Sequence, residues 1–163
     1  MEILEHLAYG FGIALQPINL LYAFLGCLVG TLIGVLPGLG PAGGMALLIP
    51  LTYGKDPASA IILLSGIYYG AMYGGSTTTI LLNVPGEAAS VVTALDGYQM
   101  ARKGKAGPAL AIAAIGSFIA GTIGIVLLMF MGPPMAQAAL AFGPAEMFAL
   151  MVFGLSMVTS LAG

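Results

Sequence analysis

Long apolar stretches alternate with short polar or Gly/Pro-rich intervals along this chain, and the alternation predicts its elements. Near the start, Ile3, Leu4, Leu7, Phe11 and Leu15 recur at helical spacing, with Glu2, Glu5 and His6 on the opposite side. That pattern predicts an amphipathic helix over 1–15, lying in a membrane interface. Residues 18–36 form a charge-free run long enough to cross a bilayer. Within it, "GCLVGTLIG" sets Gly26, Gly30 and Gly34 four apart on one helix face, where another backbone can approach closely. Residues 37–54 are apolar too, but three prolines and a cluster of glycines make a poor straight helix, so a re-entrant or broken segment is expected. Residues 58–75 read as a membrane span or a half-helix, 76–95 as a second broken segment, and 96–108 as a hydrophilic loop. Residues 109–131 are the clearest span, closed by "MGPPM". The last span is 144–162, with Pro144 suited to its first turn.

Composition makes the membrane the expected solvent. The chain has 163 residues, 60% hydrophobic and 6% charged, with a mean hydropathy of +1.06. A soluble domain carries roughly 25% charged residues, so this chain cannot cover a surface that faces water. The expected fold is all-α: a polytopic transmembrane helical protein with broken or re-entrant Gly/Pro segments. Arg102, Lys103 and Lys105 are the main basic cluster, too small for nucleic-acid binding. By the positive-inside rule they place the 96–108 loop in the cytoplasm. Cys27 stands alone in an apolar run and reads as a small packing residue. His6 reads as an interfacial polar residue rather than a ligand, and no metal-binding or catalytic set is visible. Asp96 reads as a cap or turn of its loop. Glu146 reads as a first-turn acid, stabilised by the helix dipole. Asp56 and Asp96 both fall in polar loops, which excludes intramembrane proteolysis by paired aspartates. An enzyme is not expected.

Two Pro-Gly breaks carry the candidate chemistry: "VLPGLGPAGG", with Pro37, Gly38, Gly40 and Pro41, and "YGGSTTTILLNVPGE". Unsatisfied backbone groups in lipid cost several kcal/mol each, so irregular segments survive there only inside protein or beside a water-filled cavity. A pair of such interruptions points to a transporter binding site. In the second, Gly74 and Gly75 allow close backbone approach, and Ser76 or Thr77 suits a helix N-cap. A half-helix beginning there would aim its N–H groups and positive dipole end at an anion. The candidate substrate site is therefore Gly74, Gly75, Ser76, Thr77, Thr78, Asn83, Pro85 and Gly86. Carbonyls freed near Pro85 suit Na⁺, and Asn83 and Glu87 are candidates for ion coupling. The competing reading is that Ser76–Thr79 bond back to their own helix.

The blocks "GTLIGVLPGLGPAGGMALLIPLTYG" and "GIYYGAMYGGSTTTILLNVPGEAASVVTALDGYQMARKGKAGPAL", with "GSFIAGTIG" and "FGPAEMFAL", resemble the large membrane subunit, TctA, of the tripartite tricarboxylate transporters. The resemblance runs from about Leu20 to the end and corresponds to the N-terminal portion of that subunit. It implies half of an inverted-repeat transporter fold and a multi-pass permease of the bacterial inner membrane. That permease would import citrate-like carboxylates by symport with Na⁺ or H⁺ and need no other cofactor. Its implied partners are a periplasmic TctC-like solute-binding protein and a small TctB-like membrane subunit. A second-half chain or a homodimer would complete the repeat. The alternative expectation is a non-transporting assembly subunit, or a fragment that needs a second chain.

Overall fold

The computed structural model describes residues 2–162, and the side-chain surroundings of all of these except 2–4, 138, 161 and 162. The faces expected of Glu2, Ile3 and Leu4 lie outside that description. The described residues are helical, with no strand among them: α1 (Glu2–Ala14), α2 (Pro17–Gly34), α3 (Gly40–Leu48), α4 (Pro57–Leu82), α5 (Val91–Thr93), α6 (Gln99–Arg102), α7 (Ala106–Leu140) and α8 (Pro144–Ala162). A 3₁₀ turn (Ile49–Thr52) extends α3. A 3₁₀ turn (Ala88–Ser90) and a π turn (Ala94–Tyr98) join α4 to α6 through α5. Pro17 and Pro57 open α2 and α4, where a missing N–H costs nothing. Asp56 caps α4 by accepting from the N–H groups of Ala58 (3.1 Å) and Ser59 (3.3 Å).

The chain divides into two compact units, 1–116 and 117–163. In the first, α2 and α4 pair along two glycine rows, Gly26, Gly30 and Gly34 on α2 and Gly66, Gly70 and Gly74 on α4. A methyl on Gly66 would sit 2.7 Å from the Ala23 carbonyl oxygen, and one on Gly30 2.8 Å from the Ile67 carbonyl carbon. Gly26 faces Leu63, Gly30 faces Ile67 and Gly34 faces Ala71, so the register advances along both helices together. The two helices are therefore parallel. The segment between them must carry the chain back to the end where α2 began. Residues 37–54 perform that return as α3 and its 3₁₀ extension. Gly38 (φ 93°) and Gly40 (φ 60°) make the turn into it, in conformations that side chains resist.

The apolar interior is small. Leu63, Ile67, Ala71 and Ile80 of α4, with Ala109, are the buried apolar side chains among the described residues. Large apolar residues such as Phe118, Leu128 and Phe130 of α7 lie open. Two helices, α2 and most of α7, are long and apolar enough to cross a membrane.

Four expectations need correction. The helix expected over 58–75 runs unbroken to Leu82, so no helix begins at Ser76. The expected stop at "MGPPM" is absent: α7 continues through Pro133 and Pro134 to Leu140. Proline's fixed φ lies in the helical range, so the chain stays helical at the cost of two N–H bonds and of each ring crowding the carbonyl four residues earlier. The 96–108 loop is largely helical, comprising the end of the π turn, α6 and the start of α7. Finally, the Cys27 side chain is exposed. Its backbone does the packing, with its amide nitrogen and carbonyl against Gly66 and Gly70.

Candidate functional site

The end of α2, just before the first break, meets the second break at one point. Gly86 sits so close to Gly75 that a Cβ on it would lie 2.6 Å from the Gly75 Cα and collide with the Gly34 carbonyl oxygen. A Cβ on Gly75 would in turn lie 3.4 Å from Glu87 Cγ and 3.6 Å from Gly34 O. Three backbones without side chains thus converge: the last residue of α2, the third-last turn of α4 and the Pro85-Gly86-Glu87 turn. Pro37 and Gly38 follow Gly34 by three and four residues, and both are exposed. Gly40 and Pro41, half-buried, open α3. Pro85 is half-buried beside Gly86.

The hydroxyl cluster faces its own helix. Ser76 Oγ donates to Met72 O (3.0 Å), Thr77 Oγ1 to Tyr73 O (2.9 Å) and Thr78 Oγ1 to Gly75 O (3.0 Å). This is back-bonding to the preceding turn, so Ser76 and Thr77 cap no N-terminus. Glycines 74 and 75 are tolerated inside α4 because close contact with α2, Gly86 and Glu87 offsets their cost, about 1 kcal/mol each in an isolated helix. Ending at Leu82 also reverses the expected electrostatics. The end nearest the break is a helix C-terminus, carbonyl-rich and negative. The end of α2 at Gly34 has the same polarity.

Asn83 is the C-cap of α4. It is exposed and left-handed (φ 59°), and its N–H donates to Thr79 O. Asparagine is among the few side-chain residues that adopt this conformation readily. The chain then turns at Pro85-Gly86 and re-enters helical structure at Ala88. There the Glu87 N–H donates to Ser90 Oγ (3.4 Å), and the Ser90 hydroxyl donates to Glu87 O (2.9 Å). Partial burial raises the Glu87 carboxyl above its ordinary value.

Two buried polar pairs escaped sequence reading. Thr79, fully buried, lies 2.8 Å from Gly75 O and 3.0 Å from Ser90 Oγ; its one proton serves either acceptor. This pair ties the turn beyond α4 back to α4. Asn19, also buried, donates to Ile13 O (2.8 Å) and accepts from Ser59 Oγ (2.6 Å), joining α1, α2 and α4 near their common end. An amide inside the charge-free run 18–36 was the available signal for Asn19. Ser90 had none, since its partner is eleven residues away across a turn. The structure gathers Gly75, Gly86 and Glu87 with Gly34, Thr79 and Ser90. Ser76, Thr77 and Asn83 remain on the α4 surface.

This constellation is rich in oxygen: carbonyls at two helix ends, the Glu87 carboxylate, and the Thr79 and Ser90 hydroxyls. Lys55 and Arg102 are the nearest cationic residues along the chain on either side. Such a setting attracts a small hard cation more readily than an anion.

Over residues 20–163 the chain matches the tripartite tricarboxylate transporter TctA family. It is 56% identical over 162 residues to the "Uncharacterized 52.8 kDa protein in TAR-I ttuC' 3'region" of Agrobacterium vitis, a match covering 99% of this chain and 32% of that protein. The chain thus spans about a third of the length of that curated relative. No solved structure matches it.

Proposed function

Because this chain belongs to the tripartite tricarboxylate transporter TctA family, we propose that it forms the N-terminal part of a multi-pass permease of the bacterial inner membrane. The permease imports citrate-like carboxylates by symport with Na⁺ or H⁺. It receives substrate from a TctC-like periplasmic binding protein and works beside a TctB-like membrane subunit. The 102–105 basic cluster lies on the cytoplasmic side.

The observation that carries the site reading is the convergence of Gly34, Gly75 and Gly86. It packs the backbone of the second Pro-Gly break against the carbonyl end of α2, directly before the first break, so the site is built of backbone rather than of side chains. Gly75, Ser76, Thr77, Asn83, Pro85 and Gly86 form one wall of the binding region, with Gly74 and Thr78 packed behind them, and Pro37 to Pro41 form its neighbour. The carbonyl ends and Glu87 hold the coupling ion, whose charge lets a carboxylate approach helix ends that alone would repel it. The complementary wall comes from further sequence of a full-length permease or from a second chain.

The test is citrate uptake by cells carrying the complete three-component system. Asn83→Gly keeps a residue suited to the left-handed cap but deletes the amide. Ser76→Ala deletes a hydroxyl that bonds only within α4. Both should abolish uptake while membrane insertion stays normal. Full uptake in both variants would remove this wall from the site.

A further inference from the structure

At the opposite end of the α2–α4 pair lies a feature the transport reading does not use. An open groove of about 300 Å³ runs between α2, α4 and the 3₁₀ extension of α3. That volume is at the low end of small-molecule sites, roughly 300–1,000 Å³. Its walls are Leu25 and Val29 of α2, Leu51 of the returning arm, and Leu63 and Ile67 of α4. Tyr22 and Lys55 are its polar members. Because α2 and α4 are parallel, the lining has an order. Tyr22 precedes Leu25 and Val29 on one helix, and Lys55 precedes Leu63 and Ile67 at the other, so both polar groups stand at the same end. The Lys55 ammonium donates to Tyr22 Oη at 3.0 Å and lies 4.4 Å from the centre of the same ring. One of its three N–H donors is thereby used and the head is held over the groove; among the described residues the other two have no partner and can serve an anionic acceptor.

We infer that this groove is a binding site for an anionic phospholipid, with the phosphate on the Lys55 ammonium and one acyl chain along Leu25, Val29, Leu63 and Ile67. The charge match selects the headgroup. An apolar tail has many possible resting places on such a protein, but Lys55 is the only Lys or Arg outside the 102–105 cluster. A zwitterionic lipid carries its own cation, which would compete with the lysine for the phosphate. Tyr22 is a positioning residue: its hydroxyl and ring fix the ammonium, and it needs no contact with lipid.

The test uses the whole chain purified in detergent and mixed with phosphatidylglycerol or phosphatidylcholine, with retained lipid counted by native mass spectrometry. Phosphatidylglycerol should be retained in preference to phosphatidylcholine. Lys55→Gln should lower its retention about fivefold, the contribution of one basic side chain beside anionic lipid. Leu51→Trp, which fills the groove and leaves the charge, should lower it as well, and Lys105→Gln should leave it unchanged. Glycerol phosphate, a headgroup without tails, should not displace the lipid. Circular dichroism identifies any variant that has lost its helices. Three results would overturn the site: equal retention of the two lipids, an equal loss in Lys105→Gln, or full retention in a folded Lys55→Gln protein.

Discussion

Glycine positions that are identical in composition differ entirely in consequence. Gly70 lies against the backbone of Cys27 and Thr31, whereas a Cβ on Gly124 meets nothing within 4 Å. Gly70→Val should therefore lower stability in detergent by about 1–3 kcal/mol or more through overpacking. Gly124→Ala should change it by no more than about 0.5 kcal/mol, or raise it. Thermal unfolding followed by circular dichroism measures both. Glu87 makes a pH prediction. Its carboxyl is raised by burial, so the folded chain holds that proton more tightly than the unfolded chain. The resulting stability is present below the ordinary Glu range and is lost as pH rises through the raised value. Glu87→Gln should flatten that decline, and an unchanged pH profile in the variant would count against burial of the acid. The glycine spacing on α2 was visible in sequence. The matching row on α4 was not picked out, because aromatic and hydroxyl residues crowd it and nothing local shows which face meets α2.

At the scale of elements, the parallel register of α2 and α4 has a topological consequence. Single cysteines at Gln16 and Tyr53, in a Cys27→Ala background, should react with an impermeant maleimide from one side of the membrane, and a cysteine at Leu36 from the other. Labelling of 16 and 53 from opposite sides would contradict the parallel pairing. Of the helix starts, the sequence marks Pro144 as a first-turn residue; α2 and α4 begin one residue before the expected 18 and 58, at Pro17 and Pro57, and Asp56, expected in a polar loop, caps α4. Helix ends were harder. The "GGSTTT" segment could have begun a helix, since hydroxyl residues cap N-termini as readily as they bond back one turn. Tertiary contact decided it: Gly74 and Gly75 pack on α2 and on the turn that follows, which requires α4 to continue past them.

For the whole molecule, the balance of buried and exposed apolar surface is inverted relative to a water-soluble domain. Its folding therefore rests on backbone-to-backbone approach and a few buried polar pairs more than on a large apolar core. Liposomes holding this chain alone should show no citrate accumulation above that of protein-free liposomes. Accumulation driven by a Na⁺ or proton gradient would show that the chain transports without a complement. Membership of the TctA family was legible because its signature blocks are contiguous in sequence. The cation-favouring polarity at the end of α4 was not, because helix dipoles have direction and direction depends on where each helix ends.

By itself, the sequence determined that the chain is helical, apolar and twice interrupted. Those properties follow from composition, period and proline, all local quantities. Only the tertiary structure decided that the second interruption meets the end of α2, that α2 and α4 run parallel, and that a carbonyl-rich end rather than an N–H-rich one faces that break. Each depends on contacts between residues about forty positions apart, as between Gly34 and Gly75, or eleven apart across a turn, as between Thr79 and Ser90. No local pattern encodes which of several compatible faces will be chosen, because the choice is set by how closely two backbones can approach once both helices exist.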